Sequence, residues 1–407
     1  MRRCPLSTIL LFALALLAPD LARAEAPRPL GGPLTLLRPQ GAVTPNEHLT
    51  SVEAPAVAAA PGGGFLVAWI QQANGWTTSL LTRPISARGE VGAGEELVSV
   101  SDCRNFLWNQ RLVRAGTELS VFFQAHGHHV GDTLEYRVLI DWEGHPGTTD
   151  QAAAVGSSFS TGCLQVSSNG YTASKIAWQQ TTAQYSVDFP AVSHNVAIST
   201  QGNLYAAGQV AAFPLPGKLE DYSSSPSLPC PSFDWYGTAW WTFEELSAPL
   251  LRVALDSYQR SFTLAGFADN AYLKRLSSSP FPYDFVLAAR RSERARRLGV
   301  YRIESANESL RHVGDTTAGD RVLASDNAGR LIVAKPAAHG RGLEVRFLTA
   351  DLAVEGEAIK VPSTLLSATF DDEERRVLLA WTAEQPVYRP NGGSIVPVTA
   401  RVFEWRP

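Results

Sequence analysis

A short apolar strand ending in Ala-Trp recurs along the chain, and this repeat constrains the fold more than any other feature of the 407 residues. Clear copies are Phe65 to Trp69, Lys175 to Trp178, Gly237 to Trp240 and Leu378 to Trp381. Weaker copies end at Phe123, Ala289 and Lys335, which completes seven copies spaced about 50 residues apart. A repeat of this length predicts stacked copies of one supersecondary unit, because each unit needs neighbours to bury its apolar face.

A second feature follows each Ala-Trp strand, an Arg next to a mostly apolar residue. It occurs at Arg83, Arg137, Arg252, Arg302, Arg346 and Arg401. The third unit has Asn195-Val196 in its place. Turn-forming runs such as Pro61 to Gly64 precede several Ala-Trp strands, as in hairpins. With a fourth short strand after the Arg, each unit predicts four antiparallel strands, which is the pattern of a β-propeller blade.

The closure of the ring is predicted from a shared pattern near the N-terminus. Residues 41 to 51 and 89 to 99 both read Gly-x-Val-x-x-x-Glu-x-Leu-x-Ser, and the second copy is the outer strand of the first unit. The chain ends at a third strand, so we expect residues 43 to 50 to pair with the last blade and leave no open sheet edge. The fold prediction is an all-β, seven-bladed β-propeller closed by an N-terminal strand paired with the C-terminal blade. A β-sandwich with a second β-domain explains neither the seven copies nor the closing strand.

The chain resembles secreted bacterial β-propellers of the broad sialidase-like superfamily, whose blades carry a Val-Ala-Trp strand followed by an Arg-Val strand. The resemblance covers roughly residues 41 to 405 and implies fold rather than activity. The Ser-x-Asp-x-Gly-x-x-Trp box typical of sialidases is absent. Tyr301-Arg302-Ile303-Glu304 has Glu where the sialidase motif has Pro, so sialidase activity is not implied.

The N-terminus has the order of a secretory signal peptide. A basic start, an apolar run from Ile9 to Ala18 and the small-x-small site Ala22-Arg23-Ala24 follow one another. We predict cleavage of residues 1 to 24, a linker over residues 25 to 40, and one propeller domain over 41 to 407. A membrane anchor needs about 18 uninterrupted apolar residues, and Pro19 ends this run early. The mature protein is expected in the periplasm or outside the cell, without membrane insertion.

The charge balance argues against nucleic acid as a partner. Lys and Arg number 35 against 39 Asp and Glu, a net charge of −4, and signal cleavage removes more basic than acidic residues. Such a chain does not attract phosphate backbones as a whole.

The mature chain retains three cysteines in a compartment where disulfides persist. They are Cys103, Cys163 and Cys230, and each precedes an innermost strand of the repeat. The preferred disulfide joins Cys103 to Cys163, and the competing pair is Cys163 with Cys230.

One face of the predicted propeller collects polar loops. Strand direction alternates within a blade, so loops joining second to third strands share a face with the connections between blades. The centre of that face is concave, and we therefore predict the ligand site there. The ligand-binding candidates are Trp76, His126, His128, His129, Tyr185, Asp188, Arg290, Arg294, His339, Arg341, Tyr388 and Arg389.

Two clusters on this face have alternative interpretations. The Arg-rich run 290–297 suits the carboxylates or sulfates of an acidic polysaccharide, or it is a solvated loop neutralised by Glu293. The cluster His126-Gly127-His128-His129 is either functional or solvated. No spaced metal-ligand, calcium-loop or cofactor motif occurs, so no metal or cofactor is predicted.

The function prediction is an exported binding or scaffold propeller that recognises a glycan or an extracellular protein through this loop face. The alternative is an enzyme, a lyase or a glycoside hydrolase, acting on an acidic glycan. A lyase needs a base, for which His128 and Tyr185 are candidates, and a cation such as Arg290 or Arg389 beside the carboxylate. A hydrolase needs two carboxylates, for which Asp188 with Glu244 or Glu245 are candidates. The sequence leaves this choice and the oligomeric state open.

Overall fold

The computed structural model describes residues 26–37, 47–51, 53–60, 62–74, 77–100, 107–115, 118–126, 133–152, 163–167, 170–176, 191–199, 204–206, 212–213, 232–234, 237–245, 248–255, 260–264, 272–276, 284–292, 294–304, 309–338, 340–371, 375–388, 390 and 392–405. These residues form strands, turns and extended connections, so none of them belongs to a helix that could cross a membrane.

Three strands precede the repeat: β1 (Arg28–Pro29), β2 (Leu34–Leu36) and β3 (His48–Thr50). Sheet 1 contains β4 (Ala56–Ala59), β5 (Phe65–Ala73), β6 (Thr77–Ile85) and β7 (Glu95–Val100). Sheet 2 contains β8 (Leu107–Ala115), β9 (Glu118–His126), β10 (Thr133–Ile140) and β11 (Pro146–Ala152). Sheet 3 contains β12 (Cys163–Ser167), β13 (Gly170–Ile176), β14 (Ala191–Ser199), β15 (Leu204–Ala206) and β16 (Ala212–Phe213).

Sheet 4 contains β17 (Ser232–Asp234), β18 (Gly237–Glu245), β19 (Ala248–Leu255) and β20 (Arg260–Leu264). Sheet 5 contains β21 (Tyr272–Arg275), β22 (Phe285–Ala289), β23 (Gly299–Glu304) and β24 (Ser309–Asp315). Sheet 6 contains β25 (Arg321–Ser325), β26 (Leu331–Pro336), β27 (Leu343–Leu348) and β28 (Val354–Val361). Sheet 7 contains β29 (Leu366–Asp371), β30 (Arg376–Thr382) and β33 (Val398–Glu404). Along the chain β31 (Val387–Tyr388) and β32 (Ser394–Ile395) come between β30 and β33, but they belong to sheet 1, which β32 joins through β3.

Sheets 1 to 6 each include a set of four consecutive strands that pair antiparallel in chain order, as the repeat predicts. In sheet 3 β16 also pairs with β14, and β3, β32 and β31 extend sheet 1. The Ala-Trp strand is the second strand wherever it falls on described residues. In sheets 1, 5, 6 and 7 this strand carries an unbroken buried run, such as Phe65 to Ile70 in β5. A continuous apolar run is typical of a strand covered on both faces. The all-β prediction is confirmed.

Neighbouring sheets contact one another through their first strands. β4 contacts β8, β8 contacts β12, β12 contacts β17, and β17 contacts β21. β25 contacts β29, and β29 contacts β4, so the last sheet lies against the first. Apolar clusters fill the spaces between sheets 1 and 2, 5 and 6, 6 and 7, and 7 and 1. The core of the described part is therefore mostly between sheets.

An N-terminal strand pairs with sheet 7, but it is not the predicted one. β1 and β2 pair antiparallel with β33, and both lie in the segment 25–40 that was expected to be a linker. From the predicted closing strand 43–50, residues 48 to 50 form β3, which pairs antiparallel with β5 and parallel with β32. The prediction is wrong because the shared pattern describes a strand at a sheet edge and does not specify which sheet it joins. Leu36 anchors β2 instead, buried in the cluster that contains Val398 and Val402.

The repeated Arg lies on the third strand, and at Arg83 and Arg302 its side chain binds neighbouring segments of the chain. Arg83 donates to the carbonyl oxygens of Leu37 at 3.0 Å and Gly92 at 2.8 Å. Arg302 donates from Nη2 to the carbonyl of Ala328 at 3.0 Å, and Ala328 lies in the turn between β25 and β26 of the next sheet. Desolvation by burial lowers the pKa of Arg302. These side chains have a structural role, because they satisfy turn carbonyls between strands and sheets.

Candidate functional site

A cavity of about 800 Å³ lies where the β22–β23 loop meets the connection that leads into β25. We call it the basic pocket, because the guanidinium-bearing residues Arg290, Arg294, Arg296 and Arg321 line it. The loop that joins the second and third strands of sheet 5 thus meets the connection between sheets 5 and 6. The alternating strand direction of the repeat places these two kinds of loop on the same face.

The basic pocket has an excess of positive charge. Its one lining carboxylate, Asp320, is fully buried and pairs with Arg346, and it also accepts from the Thr317 backbone N–H at 2.7 Å. Within the described part of the chain, no carboxylate forms an ion pair with Arg290, Arg294 or Arg296. Glu293, which the sequence offered as a neutralising group, lies outside the described residues. Cations in a concave site that no described carboxylate neutralises favour an anionic ligand.

Buried contacts fix the Arg-rich loop at both ends. Arg291 donates from Nε to the hydroxyl of Tyr301 at 2.6 Å, and its Cζ lies 5.3 Å from the centre of that ring. Tyr301 is 1% exposed, so the loop is held against the core of sheet 5. At the other end Leu298 makes two hydrogen bonds with Thr316: its N–H donates to the side-chain Oγ1 at 3.2 Å, and its carbonyl accepts from the Thr316 N–H at 2.8 Å. The loop therefore presents its Arg side chains from a fixed base.

A second cavity of about 800 Å³ lies among the first strands β4, β8, β25 and β29. We call it the channel cavity. Its polar lining includes Glu53, Gln110, Arg321 and Ser367. Gln110 donates from Nε2 to the Ala54 carbonyl at 2.8 Å, while its buried Oε1 has no hydrogen-bond donor among the described residues. Arg321 and Val322 line both cavities, so the two sites share a wall.

The predicted site residues have different locations. Arg290 and Arg294 line the basic pocket. Arg341 is exposed at the turn after β26, and Tyr388 is 77% exposed in β31; neither lines a cavity described above. His126 ends β9. The candidates Trp76, His128, His129, Tyr185, Asp188, His339 and Arg389 lie outside the described residues, as does Cys103, so the roles of these residues and the disulfide with Cys163 stay predictions.

Sequence reasoning missed Arg321 and Gln110. Both belong to first strands, whereas the candidate list came from the loops after second strands. Gln110 could have been found from the sequence, because it is a polar residue in β8, the partly apolar first strand of its sheet. Arg321 could have been found in a similar way, because this charged residue begins the first strand β25 directly after a turn-forming connection.

A titratable cluster lies away from both cavities, around the turn between β10 and β11. His145 contacts Asp141 through Nδ1 at 2.8 Å and Glu95 through Nε2 at 3.8 Å. The hydrogen bond to Asp141 raises the pKa of His145. The described residues contain no group of three or more His, Cys, Asp and Glu side chains arranged to hold a metal ion.

No known protein family and no curated protein sequence matches the chain. Similar solved structures include an oligogalacturonate lyase in complex with manganese, at 10% identity over 89% of this chain and 98% of the lyase, with a TM-score of 0.44. Prolyl oligopeptidase B from Galerina marginata, bound to a macrocyclization substrate, is 10% identical over 83% of this chain and 47% of its own, with a TM-score of 0.50. A Trypanosoma rangeli sialidase in complex with sialic acid is 7% identical over 91% and 59%, with a TM-score of 0.39.

At these identities the similarity concerns the fold alone. The chain spans about half the length of the prolyl oligopeptidase that it matches. The coarse result is an all-β chain of several sheets with propeller-like neighbours.

Proposed function

We propose that the chain is an exported seven-bladed β-propeller that binds an anionic glycan at the basic pocket of its loop face. Sheets 1 to 7 are the blades, and pairing of β1 and β2 with β33 closes the ring. The contact of β29 with β4 supports this closure, because it brings the last blade against the first. The N-terminal signal sequence supports export.

The observation that carries the proposed ligand class is the Arg cluster of the basic pocket. Arg290, Arg294, Arg296 and Arg321 converge there, and the carboxylate of Asp320 is already paired with Arg346. Guanidinium groups bind carboxylate and sulfate oxygens through paired hydrogen bonds. A ligand carrying one or more such groups would supply the missing negative charge.

A glycan is favoured over a protein because of the shape of the site. The pocket is a concave cavity of about 800 Å³, the size of a small-molecule site. Stable protein partners instead bury roughly 800 Å² of surface on each side. A sugar unit with a carboxylate or sulfate fits the cavity and its charge.

An enzyme acting on the acidic glycan is the second candidate. Tyr272 lines the basic pocket together with the Arg residues. A Tyr beside cations that neutralise a uronate carboxylate has the residue types that proton abstraction next to that carboxylate requires. Intact glycan after binding supports the recognition protein, and a cleaved product supports the enzyme.

The test is an array of acidic and neutral glycans probed with residues 25–407, followed by analysis of incubated hits for new reducing ends and unsaturated uronates. We expect retention of acidic glycans by the wild type and at least a tenfold loss in the double variant Arg290→Gln, Arg294→Gln. Arg88→Gln is the matched control, since Arg88 is exposed in the β6–β7 turn. Retention of neutral glycans only, or acidic binding that survives the double variant, contradicts the proposal.

A further inference from the structure

The basic pocket and the channel cavity share the residues Arg321 and Val322, and the charged one is held in place. Arg321 lines both cavities and donates from Nη2 to the Thr364 carbonyl at 2.9 Å. The backbone N–H of Thr364 donates to Glu384 at 3.0 Å, which fixes the carbonyl that Arg321 binds. A ligand group bound to Arg321 therefore contacts a residue that lines both cavities.

The channel cavity has different chemistry from the basic pocket. Among the described residues that line it, two are charged, Glu53 and Arg321, and they have opposite sign. Its other side chains are mostly apolar, with Gln110 and Ser367 among the polar ones. It therefore suits an uncharged ligand segment, whereas the basic pocket suits an anionic one.

The strands around the channel cavity also provide backbone hydrogen-bonding groups. β4, β8, β25 and β29 each pair along one edge with a second strand, namely β5, β9, β26 and β30. Among the described strands none pairs with the other edge of these four, and an unpaired strand edge presents N–H and C=O groups. Alternating apolar side chains and backbone polar groups match a sugar ring, which has apolar C–H faces and hydroxyls around its edge.

We infer that the two cavities form one bipartite site, joined at Arg321, that binds the acidic unit of a carbohydrate chain in the basic pocket and its neutral units in the channel cavity. The inference rests on the proposed function and adds the ligand architecture to it. Binding at two linked subsites strengthens the complex, because the second contact is made within one molecule.

The test is calorimetry with three defined probes: glucuronate, xylotetraose and a xylotetraose that carries one glucuronate. We expect the conjugate to bind at least tenfold more tightly than glucuronate alone, and xylotetraose to bind weakest. Ser367→Trp fills the channel cavity, so it should remove the gain of the conjugate and leave glucuronate binding unchanged. Ala353→Trp is the matched control, since Ala353 is exposed in the turn between β27 and β28.

Gln110→Leu tests the channel cavity a second time, without blocking it by a larger side chain. It keeps the side-chain size and removes the amide, and we expect about a threefold to tenfold weaker conjugate with unchanged glucuronate. Circular dichroism melting confirms that each variant folds. Equal affinity for glucuronate and the conjugate, or a gain that survives both channel variants, overturns the bipartite site and leaves the basic pocket in place. Failure of all acidic probes and all acidic array glycans contradicts the proposed function itself.

Discussion

The turn glycine Gly329 is constrained by its backbone and by a neighbouring side chain at once. Its φ is +83°, and a Cβ there would collide with the guanidinium of Arg302. Gly329→Ala is therefore expected to lower the free energy of unfolding by about 2 to 4 kcal/mol, from strain and from loss of the Arg302 contact. Urea denaturation measures this difference.

Gly340→Ala separates the two causes. Gly340 has a similar φ of +73°, but a Cβ there meets no described atom within 4 Å. We expect it to cost about 1 kcal/mol, from backbone strain alone. If Gly329→Ala and Gly340→Ala lower the free energy of unfolding equally, the contact of Gly329 with Arg302 does not contribute to stability.

The buried carboxyl of Glu355 gives a stability effect that depends on pH. Burial raises its pKa above the ordinary value of 4.5, while the hydrogen bond from Trp405 and the charge of Arg330 lower it in part. A raised pKa in the folded state means that the contribution of Glu355 is fully present below about pH 4.5 and is lost as pH rises through the folded pKa. Each tenfold change in proton affinity corresponds to about 1.4 kcal/mol.

Glu355→Gln is uncharged at all pH values and keeps an acceptor for Trp405. We expect its melting temperature near neutral pH to equal or exceed that of the wild type, with the advantage shrinking toward pH 4.5. Glu357→Gln, exposed on the same strand, is the control. A loss of stability near neutral pH that disappears toward pH 4.5 would show instead that the ionised carboxylate stabilises the fold.

At the scale of elements, the β22–β23 loop depends on a strand residue for its position. Tyr301 accepts a hydrogen bond from Arg291 within the Arg-rich run. Tyr301→Phe is expected to change the free energy of unfolding by at most about 1 kcal/mol, because the exposed Arg291 regains water. Glucuronate binding at the basic pocket should weaken about threefold to tenfold through loss of preorganisation.

Calorimetry with glucuronate checks this expectation, and Arg291→Gln should reproduce it because it removes the same hydrogen bond. Unchanged affinity in both variants would mean that the loop needs no support from Tyr301.

The elements differ in how far the sequence could predict them. The second strands were predictable because runs such as Phe65 to Trp69 are apolar throughout and follow a glycine turn. The position of Arg290 and Arg294 at a cavity was predictable, because strand order places their loop beside the connections between sheets. Arg321 was not, because its role depends on how sheets 5, 6 and 7 converge, which no local pattern records.

At the scale of the whole molecule, the N-terminal strand β2 holds the last sheet together. Leu36 is 1% exposed and packs in the cluster with Phe65 and Val398, which belong to sheets 1 and 7. Leu36→Ala is expected to cost about 2 to 5 kcal/mol. It should also promote aggregation, because release of β2 exposes the edge of β33.

Leu37→Ala is the matched control one residue along. Leu37 is 40% exposed, so its truncation should change stability by less than about 0.5 kcal/mol. Urea denaturation and light scattering compare the two variants. Equal effects would show that the burial of Leu36 in β2 does not stabilise sheet 7.

The closing pair was predictable as a principle but not in its residues. The third strand of sheet 7, β33, has an outer edge that β1 and β2 cover by antiparallel pairing. The pattern shared by residues 41 to 51 and 89 to 99 pointed to a later segment, because solvent-facing edge strands resemble one another whatever sheet they join. Burial of Leu36 against another sheet decides the pairing, and that is a tertiary effect.

Pairing of Arg28 with Glu404 places the two ends of the described chain side by side, so the molecule lends itself to circular permutation. A short linker could join these ends while a new start is opened between Arg88 and Gly89, in the turn that precedes β7. The permuted chain would begin with the outer strand of sheet 1 and finish on its third strand, β6. In the natural chain sheet 7 combines strands from both ends of the sequence, an outer strand from the N-terminal end and three strands from the C-terminal end. In the permuted chain sheet 1 would combine them in the same way.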